Sequence, residues 1–108
     1  MARHLAFVGT LTIPISTNAS NTLVIPQGNL SCSLLFIGPA AATGTISITG
    51  HPADTGTLGP LYVDATAQTL PATAVKRVNI SGIKRVALSS GGTEAAERVV
   101  RVYAEFDL

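Results

Sequence analysis

The sequence predicts an all-β domain: a small antiparallel β-sandwich or jelly-roll-like barrel of about seven to eight strands. Three observations predict it. Apolar residues recur at every second position in several separate segments, the period of a strand with one buried face. Clusters of Gly, Pro, Ser, Thr and Asn break these segments at intervals of roughly 8–12 residues, the spacing of sandwiches and small barrels. No 3.6-residue apolar pattern runs longer than two turns.

The elements follow in chain order. Leu5, Phe7, Gly9, Leu11, Ile13 and Ile15 read as one strand face, with His4, Thr10 and Thr12 on the other and Ala6 and Val8 as exceptions. Pro14 ends this strand or places it at an edge. STNASN is a turn rich in residues that bond their own backbone. Leu23 and Ile25 form a short strand closed by Pro26-Gln27-Gly28. Leu30, Cys32, Leu34 and Phe36 alternate with Ser31 and Ser33, and GPAAATG follows as a loop. Ile46 and Ile48 point inward from TISIT, and HPADTGTLGP is an irregular loop. Leu61, Val63 and Ala65 suggest a strand with Tyr62 and Asp64 outward. Val78 and Ile80 alternate with Arg77, Asn79 and Ser81; Gly82-Ile83 shifts the phase, and Val86 and Leu88 resume inward. SSGGTEAAE is a loop with at most a helical turn at 94–97. The last strand is the clearest. Val100, Val102, Ala104, Phe106 and Leu108 share one face, and Val99, Arg101, Tyr103, Glu105 and Asp107 the other.

With 108 residues the chain is expected to form one domain spanning 1–108, with 1–29 serving as an arm or edge strand that contacts a neighbour. Only 12% of residues are charged, about half the usual share of roughly 25%. Thr, Ser and Asn occupy the polar positions instead. Neutral hydroxyls are desolvated more cheaply than ions, so such a surface suits contact with partners. The net charge of +1 gives no steering toward nucleic acid or an anionic membrane, and no run of about 18 apolar residues spans a bilayer. The opening MARHLAFVGTLTIPI reads as strand and not as a secretion signal, because Thr10 and Thr12 break its apolar stretch and no small-x-small site follows. The lone Cys32 cannot close an internal disulfide. It is expected to be a buried small hydrophobe, the alternative being a disulfide between copies.

The search for chemistry finds no catalytic set, so an enzyme is not expected. His51 and Asp54 in HPAD fall short of the three or four ligands of a metal site. No G-x-S-x-G elbow or phosphate-binding glycine loop is present. No paired carboxylates flank a cleft. No cofactor is expected. Lys76-Arg77 and Lys84-Arg85 flank the Gly82 turn, and pairing of their strands would gather four cations against an acidic partner surface. With 5% aromatic residues and no Trp, single-stranded nucleic-acid binding by stacking is not expected. Tyr62 and Tyr103 are the outward aromatic candidates for stacking a sugar.

From Asn29 onward the order of features resembles the small β-sandwich modules of tailed-bacteriophage virions, namely capsid decoration (cement) proteins and tail-fibre-associated domains. The matching pieces are Gly44-Thr45-Ile46-Ser47-Ile48-Thr49-Gly50, Val78-Asn79-Ile80-Ser81-Gly82-Ile83-Lys84-Arg85-Val86 and the Val-rich last strand. The residues before Asn29 have no counterpart in that pattern, and Gly59-Pro60-Leu61-Tyr62 stands where an aromatic residue ends the irregular loop. The resemblance implies a structural role on the capsid surface of a virion made in the host cytoplasm. It implies a homo-oligomer bound to the major capsid protein or other virion proteins. Partner contacts are expected from Arg77, Lys84, Arg85, Arg98 and Arg101, with Tyr62 and Tyr103. The alternative is a receptor- or glycan-binding module of a phage tail or fibre.

Overall fold

The computed structural model describes residues 3–25, 31–39, 41–63, 66–70, 75–79 and 81–107. It is all-β, as the period-2 pattern predicts. Among the described residues eleven strands are formed: β1 (Arg3–Ile13), β2 (Leu23–Val24), β3 (Ser31–Ile37), β4 (Ile46–His51), β5 (Gly59–Pro60), β6 (Tyr62–Val63), β7 (Thr66–Ala67), β8 (Thr69–Leu70), β9 (Val75–Val78), β10 (Arg85–Ser90) and β11 (Arg98–Asp107). The count exceeds the expected seven or eight because the 59–70 segment is divided into four two-residue strands.

The pairing is antiparallel throughout and builds two main sheets. One runs β1-β11-β3-β9. The other runs β2-β10-β4-β5, with β8 also on β4, and β6-β7 form a small hairpin of their own. Counting β5 and β8 as one position beside β4, the two sheets read 1-8-3-6 and 2-7-4-5 in chain order. That is the order of a jelly roll, two Greek keys folded into a double sheet.

Alternation decides what the two sheets bury. From the four-stranded sheet come Leu11, Ile13, Leu34, Phe36, Val78, Val100, Val102, Ala104 and Phe106. Ile46, Ile48, Val86 and Leu88 face them from the other sheet, and Ile25, Leu61, Leu70 and Ile83 close the sides. Each fully buried Leu, Ile or Phe side chain stabilises the fold by about 2 kcal/mol through removal from water. β11 is read correctly on both faces. The side chain of Cys32, together with Asp64, Ala65, Ile80 and Leu108, lies outside the described residues. The 94–97 segment makes bends and no helical turn.

β1 departs from the expected phase. Its pairing with β11 shifts between Phe7 and Gly9, so Val8 is an extra residue in the ladder. One inserted residue reverses which face every later side chain takes. Leu11 and Ile13 therefore face the core, whereas Leu5 and Phe7 lie on the opposite, outer face at 58% and 56% exposure. Ile15 is past the strand and exposed. Residues 3–13 are an edge strand of the sandwich, paired along their whole length with β11.

Candidate functional site

The outer face of the four-stranded sheet is built from the residues that alternation excludes from the core. β1 contributes Leu5 and Phe7, paired in register with Glu105 and Tyr103 of β11. β3 contributes Leu35 and Ile37, opposite Tyr103 and Arg101 on one side and Arg77 and Val75 on the other. Leu5, Phe7, Ile37, Val75 and Val99 are all exposed. The Phe7 and Tyr103 rings pack at 5.2 Å between centroids, tilted by 60°. Such a tilted approach is a favoured aromatic geometry. A sheet face carrying this much apolar surface is the kind of patch that marks an interaction site on a soluble domain.

Two of the charges on this face are matched to each other. Arg77 is ion-paired with Glu105. Ser33 Oγ donates to Glu105 Oε1 at 2.5 Å, and Arg77 Nη1 donates to Ser33 Oγ at 3.3 Å. A partner covering the face would bury Arg77 and Glu105 as a preformed pair. Arg101 stands on the same face, exposed.

The remaining cations named from sequence are engaged elsewhere. β9 lies in the four-stranded sheet, whereas Lys84 and Arg85 belong to the other, so the two basic pairs do not come together as one cluster. Lys84 Nζ sits 3.1 Å from Asp54 Oδ1. Arg85 donates to the Ala53 and Gly56 carbonyls at 2.8 and 2.7 Å. His51 Nδ1 accepts from the Ala53 amide at 3.0 Å. These contacts fold the 51–56 loop onto the end of β10. Tyr62 is exposed on the β6-β7 hairpin, in a different sheet from Tyr103, so the two tyrosines form no common platform.

Sequence reasoning missed a heavily ligated side chain, Glu94. It is fully buried. Its carboxylate accepts from the Thr43 and Gly44 amides at 2.9 and 3.1 Å, from Ser90 Oγ at 2.6 Å and from Arg98 Nε at 2.8 Å. The Ser90 hydroxyl, the Thr43 amide and the Arg98 guanidinium, in that order, hold its pKa down at about 2 against the cost of burial. Its backbone joins in: Ser16 N donates to Glu94 O, and Glu94 N to Thr17 O. Gly44 is required beside it, since a Cβ there would lie 2.7 Å from Gly92 N. With both oxygens occupied by the protein, Glu94 locks three loops together and cannot reach a substrate. Only the spacings of four to Ser90 and to Arg98 hint at it in the sequence, because Thr43 and Gly44 lie some fifty residues away.

The other sheet presents a contrasting outer face. A shallow groove of about 400 Å³ runs between 19–22 and 58–60, floored by Ser47, Thr49, Ala87 and Ser89. It is lined by hydroxyls and alanines together with Leu58, Pro60 and Leu88, and its lining contains no acid, base or thiol. Among the described residues, no three of His, Cys, Asp and Glu converge as metal ligands. Neither a protein-family model nor a curated protein sequence matches this chain.

Proposed function

We propose that the chain is a structural module of a virion, a capsid decoration protein that binds the outer shell and stabilises contacts between capsid subunits. The observation that carries this reading is the outer face of the four-stranded sheet, where Leu5, Phe7, Tyr103, Ile37, Val75 and Val99 share a surface with the Arg77–Glu105 ion pair and the exposed Arg101. Jelly rolls serve viral capsids, lectins and many unrelated proteins, so the fold alone assigns nothing. The weight rests on a flat, apolar, low-charge face without a reactive group. Burial of such a face is a route to affinity that needs no pocket, with a few central aromatic and aliphatic residues supplying most of the energy.

Co-sedimentation with expanded shells assembled from a tailed-phage major capsid protein tests the reading. Wild-type protein should pellet with the shells. Ile37→Asp places a charge in the middle of the face and should weaken binding at least tenfold, about 1.4 kcal/mol or more. Absence of shell binding at micromolar concentration rejects the reading. Binding to a glycan array that is lost in Tyr62→Ala would favour a receptor module instead.

A further inference from the structure

We infer that two copies of this chain join edge to edge through the first half of β1, in an antiparallel pairing centred on Ala6, which fuses their four-stranded sheets into one of eight strands. The inference does not depend on what the outer face meets.

An edge strand presents unpaired backbone groups, and stable domains shield them with short strands, charges or covering segments. Three edges here follow that rule. β9 is four residues long and carries Lys76 and Arg77. β2, β5 and β8 are two residues each. β1 is eleven residues long, and only its second half is shielded. There the Asn21 side chain acts as a stand-in strand: Thr12 N donates to Asn21 Oδ1 at 2.8 Å, and Asn21 Nδ2 donates to Thr10 O at 3.1 Å. Among the described residues nothing plays that part for the stretch from His4 to Val8, whose first four residues are exposed, and the stretch carries no Lys, Asp, Glu or Pro.

The parity of the free groups follows from the register. Along a strand, backbone groups point to alternate sides. The Asn21 contacts show that Thr10 and Thr12, opposite Arg101 and Val99, point theirs at the open edge. Residues 99, 101, 103 and 105 of β11 keep the same parity, so their partners Phe7 and Leu5 also point outward. These are the residues whose apolar side chains are exposed on the outer face.

Antiparallel pairing about Ala6 sets Leu5 of one copy across from Phe7 of the other, twice. Each Leu5–Phe7 pair exchanges both backbone hydrogen bonds. Its side chains share the outer face with Tyr103, so two exposed apolar residues on each copy become cross-strand pairs. Centring on Leu5 would leave Phe7 opposite the charged Arg3. Centring beyond Phe7 would drive the second strand into the Asn21 cover. The contact is self-complementary, as a two-fold interface must be.

Sedimentation equilibrium of the full chain tests this. The wild type should show a monomer–dimer equilibrium. Leu5→Lys, at an exposed position, should keep the wild-type melting temperature and weaken dimerisation at least tenfold. Adding Phe7→Glu to Leu5→Lys restores opposite partners across both pairs, and only in this register, so dimerisation should return. Ala6→Cys offers a second readout. At the two-fold axis the two thiols fall within disulfide span, since non-hydrogen-bonded partners lie about 4.5 Å apart at Cα. Peptide mapping should locate the cross-link at that position. A wild type that stays monomeric at millimolar concentration overturns the inference. So does a dimer indifferent to Leu5→Lys, or a charge-swapped double variant that stays monomeric while melting normally.

Discussion

The two ends of the sandwich are held by opposite means. At the end where β1 finishes and β11 begins, Glu94 is buried among donors from 43–44, Ser90 and Arg98, and its backbone also ties down 16–17. At the other end, the 51–56 loop is fastened by Arg85 and by Lys84 bonded to an Asp54 whose side chain is 73% exposed. There Leu5 and Phe7 stand exposed on β1. A buried, fully ligated carboxylate costs a great deal to leave unpaired, whereas exposed ion pairs contribute little. The first end is therefore built for rigidity and the second for contact. A chain with only 12% charged residues places a fully buried carboxylate where three loops must be fixed.

The sharpest way to break this contrast is Glu94→Gln. The amide keeps the shape but presents an NH2 group to donors and leaves Arg98 without its counter-charge. It should lower the melting temperature more than any change at the open end. The pH dependence gives the sign. A carboxyl held at about 2 in the folded state and 4.5 when unfolded contributes stability fully above the unfolded value, and loses it as pH falls toward 2. The difference in melting temperature between wild type and Glu94→Gln should therefore be constant near neutrality and shrink from about pH 4.5 downward. Circular-dichroism melts across pH 2–7 measure it. A difference that does not change with pH would show that Glu94 acts by shape alone.

What the sequence made legible follows from where the information is local. The ten residues of β11 alternate without interruption, so both faces could be read from them. In β1 the same period misplaces Leu5 and Phe7, because the extra residue at Val8 is a small apolar side chain like its neighbours and leaves no mark in composition. Lys76-Arg77 and Lys84-Arg85 are neighbours along the chain, yet β9 and β10 belong to different sheets, and proximity in sequence is lost. Glu94 was invisible for a related reason. An acid in the polar, small-residue segment GGTEAAE looks solvated until 43–44 are brought to it from the residues before β4. The apolar outer face was legible in part: Val99 and Tyr103 were placed outward correctly, but the patch needs Leu5 and Phe7, which depend on the bulge.

A smaller effect tests the boundary between the two halves of β1. Asn21→Ala removes the side chain that covers the edge at Thr10 and Thr12. Losing two hydrogen bonds that water can partly replace should cost about 1 kcal/mol, read as a lower urea midpoint. It also lengthens the open edge toward the locked end, so self-association should become stronger while the fold becomes weaker. A variant that loses stability without gaining association would confine the unguarded edge to the first half of the strand.

The smallest effect belongs to the open end. Lys84 pairs with Asp54 where both side chains are exposed, at 38% and 73%. Ordering two solvated side chains offsets most of what their attraction supplies, so Lys84→Ala should shift stability by no more than about 0.5 kcal/mol. The loop it touches should respond more than the domain does. Limited proteolysis within 52–58 should quicken while the urea midpoint stays nearly fixed, because local opening there requires no core side chain to leave its place. A loss above about 1.5 kcal/mol would mean that the 51–56 loop unfolds with the sandwich as one unit, and the two ends would then differ in chemistry but not in rigidity.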